Sequence, residues 1–232
     1  MSYNIYGENY TPKFSLPLGV KLRREDIIPI DLSKNNPDLL QGETDDVEGL
    51  YDYIFGKISA AGAKCAYGGY GEERDLYQRS KHFSEKDNYR SIHLGVDFWM
   101  PAGTDIIAPM PGKIHSFANN DNPGDYGPTI IIEHHIGNEK IHTLYGHLSR
   151  VSLPGLLKGQ LINRGQKIGT LGTPDENRDW PPHLHFQLIK DIGDYKGDYP
   201  GVCHKKERKK FLKNCPDPLL FFQDIWSKKL TP

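Results

Sequence analysis

Apolar residues recur along this chain with two different periods. Val47, Leu50, Tyr51, Ile54 and Ile58 repeat at three- and four-residue spacing, which places them on one stripe of an α-helix. Thr44, followed by Asp45 and Asp46, supplies a candidate N-cap, and Gly62 a stop. The pattern therefore predicts one amphipathic helix packed on the body of the protein.

From Ser91 to about Lys190 the period shortens to two. The runs HLGVDFWM, DIIAP, GKIHSF, PTIIIEHH, KIHTLYGHL, QLINR, QKIGTL and HLHFQLI are β-branched or alternating, and Gly, Pro, Asn and Asp separate them. Short strands at this spacing with no helix between them predict an antiparallel sheet, sandwich or barrel. Residues 1–43 are punctuated by Pro and Asn and read as an extended arm, and 68–89 as an ordered polar and aromatic loop. KKERKKFLK (205–213) reads as a solvated helix face, and Asp217-Pro218 as the start of a C-terminal helix through Trp226. The simplest partition is an arm, helix and loop over 1–90, a β core over 91–190, and a C-terminal extension with a helix over 191–232.

Composition narrows the function classes. The 232 residues carry 24 Gly, 17 Pro and 13 Tyr, a turn-rich balance that disfavours a long helical bundle. A formal net charge of −1 provides no general positive field for phosphate backbones, so nucleic acid is not the expected partner. No apolar run approaches the roughly 20 residues that cross a bilayer, so no membrane insertion is expected. The start, MSYNIYGENYTPKF, has neither a basic nor an apolar leader segment. Three cysteines (Cys65, Cys203 and Cys215) are too few for a disulfide scaffold. Together these features give a cytoplasmic location as the expectation.

Ten histidines are present, and most have no neighbours that suggest chemistry. Four differ. In HLGVDF a strand would place His93, Gly95 and Asp97 on one face and Leu94, Val96 and Phe98 on the other. In HLHFQL the same alternation puts His183 and His185 together, opposite Leu184, Phe186 and Leu188. In TLYGHL it groups Thr143, Tyr145 and His147 against Leu144 and Leu148. Two neutral imidazoles and one carboxylate suit Zn²⁺, and three protein ligands leave a position for water, as in catalytic rather than structural zinc sites.

HLGVD (93–97), TLYGHLS (143–149) and PPHLHFQL (181–188) resemble the HxxxD, HL and HxH motifs of the M23 metallopeptidases, the lysostaphin and LytM-like endopeptidases of glycylglycine and peptidoglycan bonds. PAGTDIIAPMPGKI (101–114) and KGQLINRGQKIGTLG (158–172) are similar to that family's strand and hairpin segments, so the resemblance spans roughly residues 90–190. It implies a mainly β fold, a barrel-sandwich hybrid of the LytM-like type with helical and extended terminal additions. It implies one Zn²⁺ per chain held by His93, Asp97 and His185, with His183 as general base and His147 as a second catalytic histidine, the division of labour between these two remaining open. The implied activity is zinc-dependent endopeptidase hydrolysis of a small glycine-containing peptide or muropeptide. GGYGEERDLY, GDYPGV and CPDP further resemble the M23 module fused to aminotransferase and kinase-like domains, which suggests a functional link to such proteins.

Two rival classes stand beside this. A non-catalytic zinc-binding or regulatory module would keep the fold, and a phosphoryl-carrier domain would share the Gly-rich β character and a facing histidine pair. A carrier needs neither Asp97 nor a stoichiometric metal. Arg74 and Tyr77, in the Gly-rich loop, read as structural residues at the edge of the cleft.

Overall fold

The structure is a computed structural model, and it describes residues 14–41, 46–75, 89–122 and 124–222. Strand β1 (Ile27–Pro29) enters from the N-terminal arm and leads to helix α1 (Val47–Ala60). The Asp46 carboxylate caps α1 by accepting from the Gly49 amide at 2.7 Å, and Leu50, Ile54 and Ile58 are buried. Thr44 and Asp45 lie outside the described residues. The chain returns as β2 (Cys65–Gly68), parallel to β1. A parallel pair requires a crossover connection, and α1 supplies it.

The β-rich stretch then runs as β3 (Arg90–His93), β4 (Val96–Trp99), β5 (Asp105–Ile107), β6 (Gly112–Asn120), β7 (Gly127–Ile136), β8 (Glu139–Gly146), β9 (Leu161–Ile162), β10 (Lys167–Thr170) and β11 (His183–Ile189). The extension adds β12 (Val202–His204) and α2 (Arg208–Asn214). Among the described residues eight strands form the main sheet in the order β1-β2-β4-β11-β8-β7-β6-β9, with two small pairs, β10-β5 and β12-β3, beside it. The fold is mainly β, as predicted, but the sheet is mixed because β1 and β2 run parallel while its other strand pairs are antiparallel.

HLGVDFWM is two strands and not one. β3 pairs with β12, whereas β4 pairs with β2 and β11, and the chain changes partners at Leu94–Gly95. Gly95 permits the change: a Cβ there would lie 2.7 Å from the His185 ring.

The two faces of the sheet bury different groups. Val96, Phe98, Ile130, Ile132, Tyr145, Leu184 and Phe186 form the main core, closed by Phe221 and Phe222 of the C-terminal extension. Fully burying each such side chain contributes roughly 1.5–3 kcal/mol. On the opposite face Ile131, Leu144 and Ile189 pack with Tyr126 and Tyr199. Trp99 packs there with the stripe of α1. Between these two groups the sheet is left open, and this opening holds the site described below.

Asp217 accepts from the Leu219 amide at 2.9 Å, and Pro218–Phe222 form a 3-10 turn; the rest of the helix predicted through Trp226 lies outside the described residues. The basic run folds as a 3-10 turn and α2, neither burying a residue, as a solvated face requires. Among the described residues no helix is long and apolar enough to cross a membrane, and Cys65, Cys203 and Cys215 are free and buried.

Candidate metal centre

Register brings the site together. Across the β4–β11 pair, His185 lies opposite Asp97 and His183 opposite Trp99, so all four share a face. His93 arrives from the end of β3, directly before the change of partner. Its Nε2 lies 2.9 Å from His185 Nδ1 and 3.3 Å from Asp97 Oδ1, and His185 Nδ1 is 3.2 Å from the same oxygen. His93, Asp97 and His185 are buried, and their three candidate ligand atoms lie within 4.8 Å of one another.

The far side of each ring is tied down. His93 Nδ1–H donates to the Gly69 carbonyl at 3.0 Å, which leaves Nε2 as the lone pair aimed at Asp97. His185 uses its nitrogens the other way round. Gln187 sets this arrangement, because its amide nitrogen donates to the Pro200 carbonyl at 3.1 Å and so turns Oε1 toward His185. His185 Nε2–H donates to that oxygen at 2.9 Å, and Nδ1 is left to face the centre. Such partners fix the tautomer and orientation of metal-binding imidazoles.

Electrostatics prepare the same state. Burial lowers the His93 pKa to about 4 despite the neighbouring Asp97, so the ring is neutral. Burial pushes the Asp97 carboxyl up, but the Arg74 guanidinium packed against it outweighs this and holds the group well below its ordinary range. Two imidazole nitrogens and an ionised carboxylate, clustered and buried, form a donor set that fits a divalent cation.

His183 and His147 stand beside this cluster. His183 Nδ1–H donates to the Pro181 carbonyl at 2.7 Å, and its Nε2 lies 3.9 Å from Asp97 Oδ1. His147 Nδ1 is 3.3 Å from the Asn177 carbonyl. Burial, first among the causes, lowers both pKa values, so both rings are neutral near pH 7.

The face predicted for His147 needs correction. β8 ends at Gly146, and His147 adopts a left-handed backbone with φ 62° that turns its ring toward His183. Tyr145, predicted to share that face, instead pairs with Phe186 and is fully buried in the main core on the other side of the sheet, where its hydroxyl accepts from Thr143. The alternation argument fails there because it assumes that the strand continues through Gly146.

A cleft of about 260 Å³ opens over the centre. Trp99, Tyr126 and Trp180 line it together with Leu32 and Leu50 from the N-terminal additions and Tyr195 and Asp198–Val202 from the C-terminal side. Sequence reasoning missed Gln187, although the alternation in HLHFQL places it on the histidine face. Arg74, read as structural, is buried against Asp97, its Nη1 2.7 Å from Oδ2. Tyr77 lies outside the described residues.

This geometry coincides with the similarity to known proteins. Residues 91–197 match Peptidase family M23. Over 125 residues the chain is 34% identical to the peptidoglycan DD-endopeptidase ShyA of Vibrio cholerae, covering 52% of this chain and 26% of that protein. It is 36% identical over 99 residues to lysostaphin of Staphylococcus staphylolyticus, covering 42% of this chain and 18% of that one. The catalytic domain of lysostaphin from Staphylococcus simulans superposes with a TM-score of 0.41 at 26% identity, over 57% of this chain and 80% of the domain. The chain thus spans about a quarter or less of the length of these curated relatives.

Proposed function

We propose that the chain is a zinc-dependent endopeptidase that cleaves small glycine-containing or peptidoglycan-type peptides. The observation that carries this reading is the convergence of His93 Nε2, Asp97 Oδ1 and His185 Nδ1 on one buried point. Two nitrogens and one oxygen favour Zn²⁺ over harder cations, which take oxygen cages. A zinc ion held there would polarise a scissile carbonyl and lower the pKa of bound water to about 7.

The remaining steps belong to side chains of this chain. His183, neutral and with Nε2 directed at the centre, is placed to accept a proton from the attacking water. His147, adjacent and also neutral in the free protein, is placed to stabilise the developing oxyanion or to help carry the proton to the leaving amine. Trp99, Tyr126 and Trp180 narrow the cleft, which favours small residues beside the cut. Support for a peptidoglycan-type substrate comes from the relatives' names alone, ShyA being a peptidoglycan endopeptidase.

The test is a peptide panel with glycyl-glycine, D-alanyl and bulky L-residue bonds, assayed with the full chain before and after chelation. Cleavage confined to small-residue bonds, lost with chelator and restored by Zn²⁺, is the expected outcome. Undiminished cleavage in excess chelator would overturn the assignment.

A further inference from the structure

The metal-facing carboxylate is divided between two partners. Asp97 Oδ1 faces His93 and His185, while Oδ2 is held by Arg74 Nη1 at 2.7 Å. Arg74 is 3% exposed and is itself held by Glu72, whose Oε2 accepts from Nε at 2.8 Å. Both residues belong to the segment Gly69–Arg74, which lies before residue 91, where the match to the M23 family begins.

That segment runs along β3 through backbone hydrogen bonds. Gly71 N donates to His93 O, His93 N to Glu72 O, and Arg74 N to Ser91 O, each at 2.9 Å. Both terminal additions hold it in place. Glu73 is paired with Lys34 at 2.8 Å and with Lys205 at 3.2 Å, and the Tyr70 hydroxyl donates to the Cys215 carbonyl at 2.7 Å. Gly69 is required where it stands: with φ 103°, a Cβ would collide with the Arg74 guanidinium and lie 2.8 Å from His93 Nδ1.

We infer that Arg74 is a positioning residue of the metal centre, holding Asp97 to coordination through one oxygen, so that the Gly69–Arg74 segment is a structural part of the site. The inference rests on the metal reading of His93, Asp97 and His185. A carboxylate can offer a cation one oxygen or two, and a planar guanidinium fixed on Oδ2 removes the second option. The coordination position this spares on a bound cation would be left to water or a substrate carbonyl. The carboxylate, sharing its charge with Arg74, also donates less strongly to the cation.

Cobalt(II) loaded into the full chain tests this, because its visible absorption per bound ion reports the number of ligands. Arg74→Met releases Oδ2, and absorbance per bound cobalt is expected to fall by at least about twofold as the ion gains a ligand. Arg74→Lys, which keeps the charge, is expected to return the spectrum toward that of the wild type. If Arg74→Met does not fold, Glu72→Gln, which loosens the guanidinium and leaves it in place, is expected to shift the spectrum in the same direction by a smaller amount. Wild-type spectra in every folded variant would overturn the inference. Failure of the wild type to bind cobalt, or equal binding by Asp97→Ala, would instead overturn the metal reading beneath it.

Discussion

The imidazoles of His147 and His183 lie with ring centroids 4.2 Å apart and planes inclined at 37°, and they reach this contact from unlike backbones. His183 opens a regular strand, whereas His147 sits in the left-handed region just past the end of β8. A non-glycine residue held there costs on the order of 1–3 kcal/mol and persists where the surroundings enforce it. The strained position is thus the one that delivers a second imidazole to the cleft.

Replacing His147 by Asn, a residue that tolerates left-handed backbone, should preserve the fold and the bound metal while lowering turnover by roughly 10²–10⁴-fold. His183→Ala should do the same. The double variant should lose much less than the product of the two single losses if both rings act on one transition state. Turnover measured beside metal content per chain checks this. Activity that merely tracks metal loss would make either residue a ligand and not a proton-transfer group.

Gln187→Leu removes the 2.9 Å acceptor of the His185 Nε2–H, leaves it the more distant Tyr126 hydroxyl at 3.4 Å, and loosens the ring. Metal affinity should fall roughly 10–100-fold, the usual effect of losing a partner behind a ligand. Gln187→Glu keeps an acceptor in place and should retain more of the affinity than the leucine variant. Competition with a chelator of known affinity measures both, and equal affinities for wild type and Gln187→Leu would contradict the role given to the amide.

Glu133 offers a test away from the cleft. Burial alone would raise its pKa, but hydrogen bonds from Lys113, Lys140 and His135 bring it down to about 2. A depressed carboxyl contributes stability that is present above its unfolded value of about 4.3 and lost as the pH falls toward 2. Glu133→Gln should therefore destabilise the protein at pH 7, by roughly 1 kcal/mol because both lysines are half exposed and screened. Denaturant midpoints from pH 7 to pH 3 should converge for the two proteins, and parallel curves would show that Glu133 contributes nothing to the acid limb.

The parts legible in the sequence are those set by local periodicity. Leu50, Ile54 and Ile58 of the α1 stripe are buried as the spacing predicts, although Tyr51 is exposed and the capping residue is Asp46, and the HxH alternation places His183 and His185 on one face of β11. The limits arise wherever a non-local partner decides. HLGVDFWM splits because β12 and β11 compete for adjacent residues, and the sheet is mixed because α1 carries the chain from β1 back to β2 in the same direction. Tyr145 and His147 end on different sides of the sheet because β8 stops at Gly146 and the left-handed backbone of His147 turns its ring away from the face that Tyr145 keeps. Arg74 carried no signal, since a polar loop gives no period and its partner Asp97 is 23 residues further along the chain.

The central claim is that His93, Asp97 and His185 hold one zinc ion, and metal content measures it most directly. Full-length protein purified without added metal, with folding confirmed by circular dichroism, should carry close to one zinc per chain by elemental analysis. Folded Asp97→Ala and His93→Ala proteins should carry little, because each lacks one of three ligands. Full zinc occupancy in both folded variants would contradict the account.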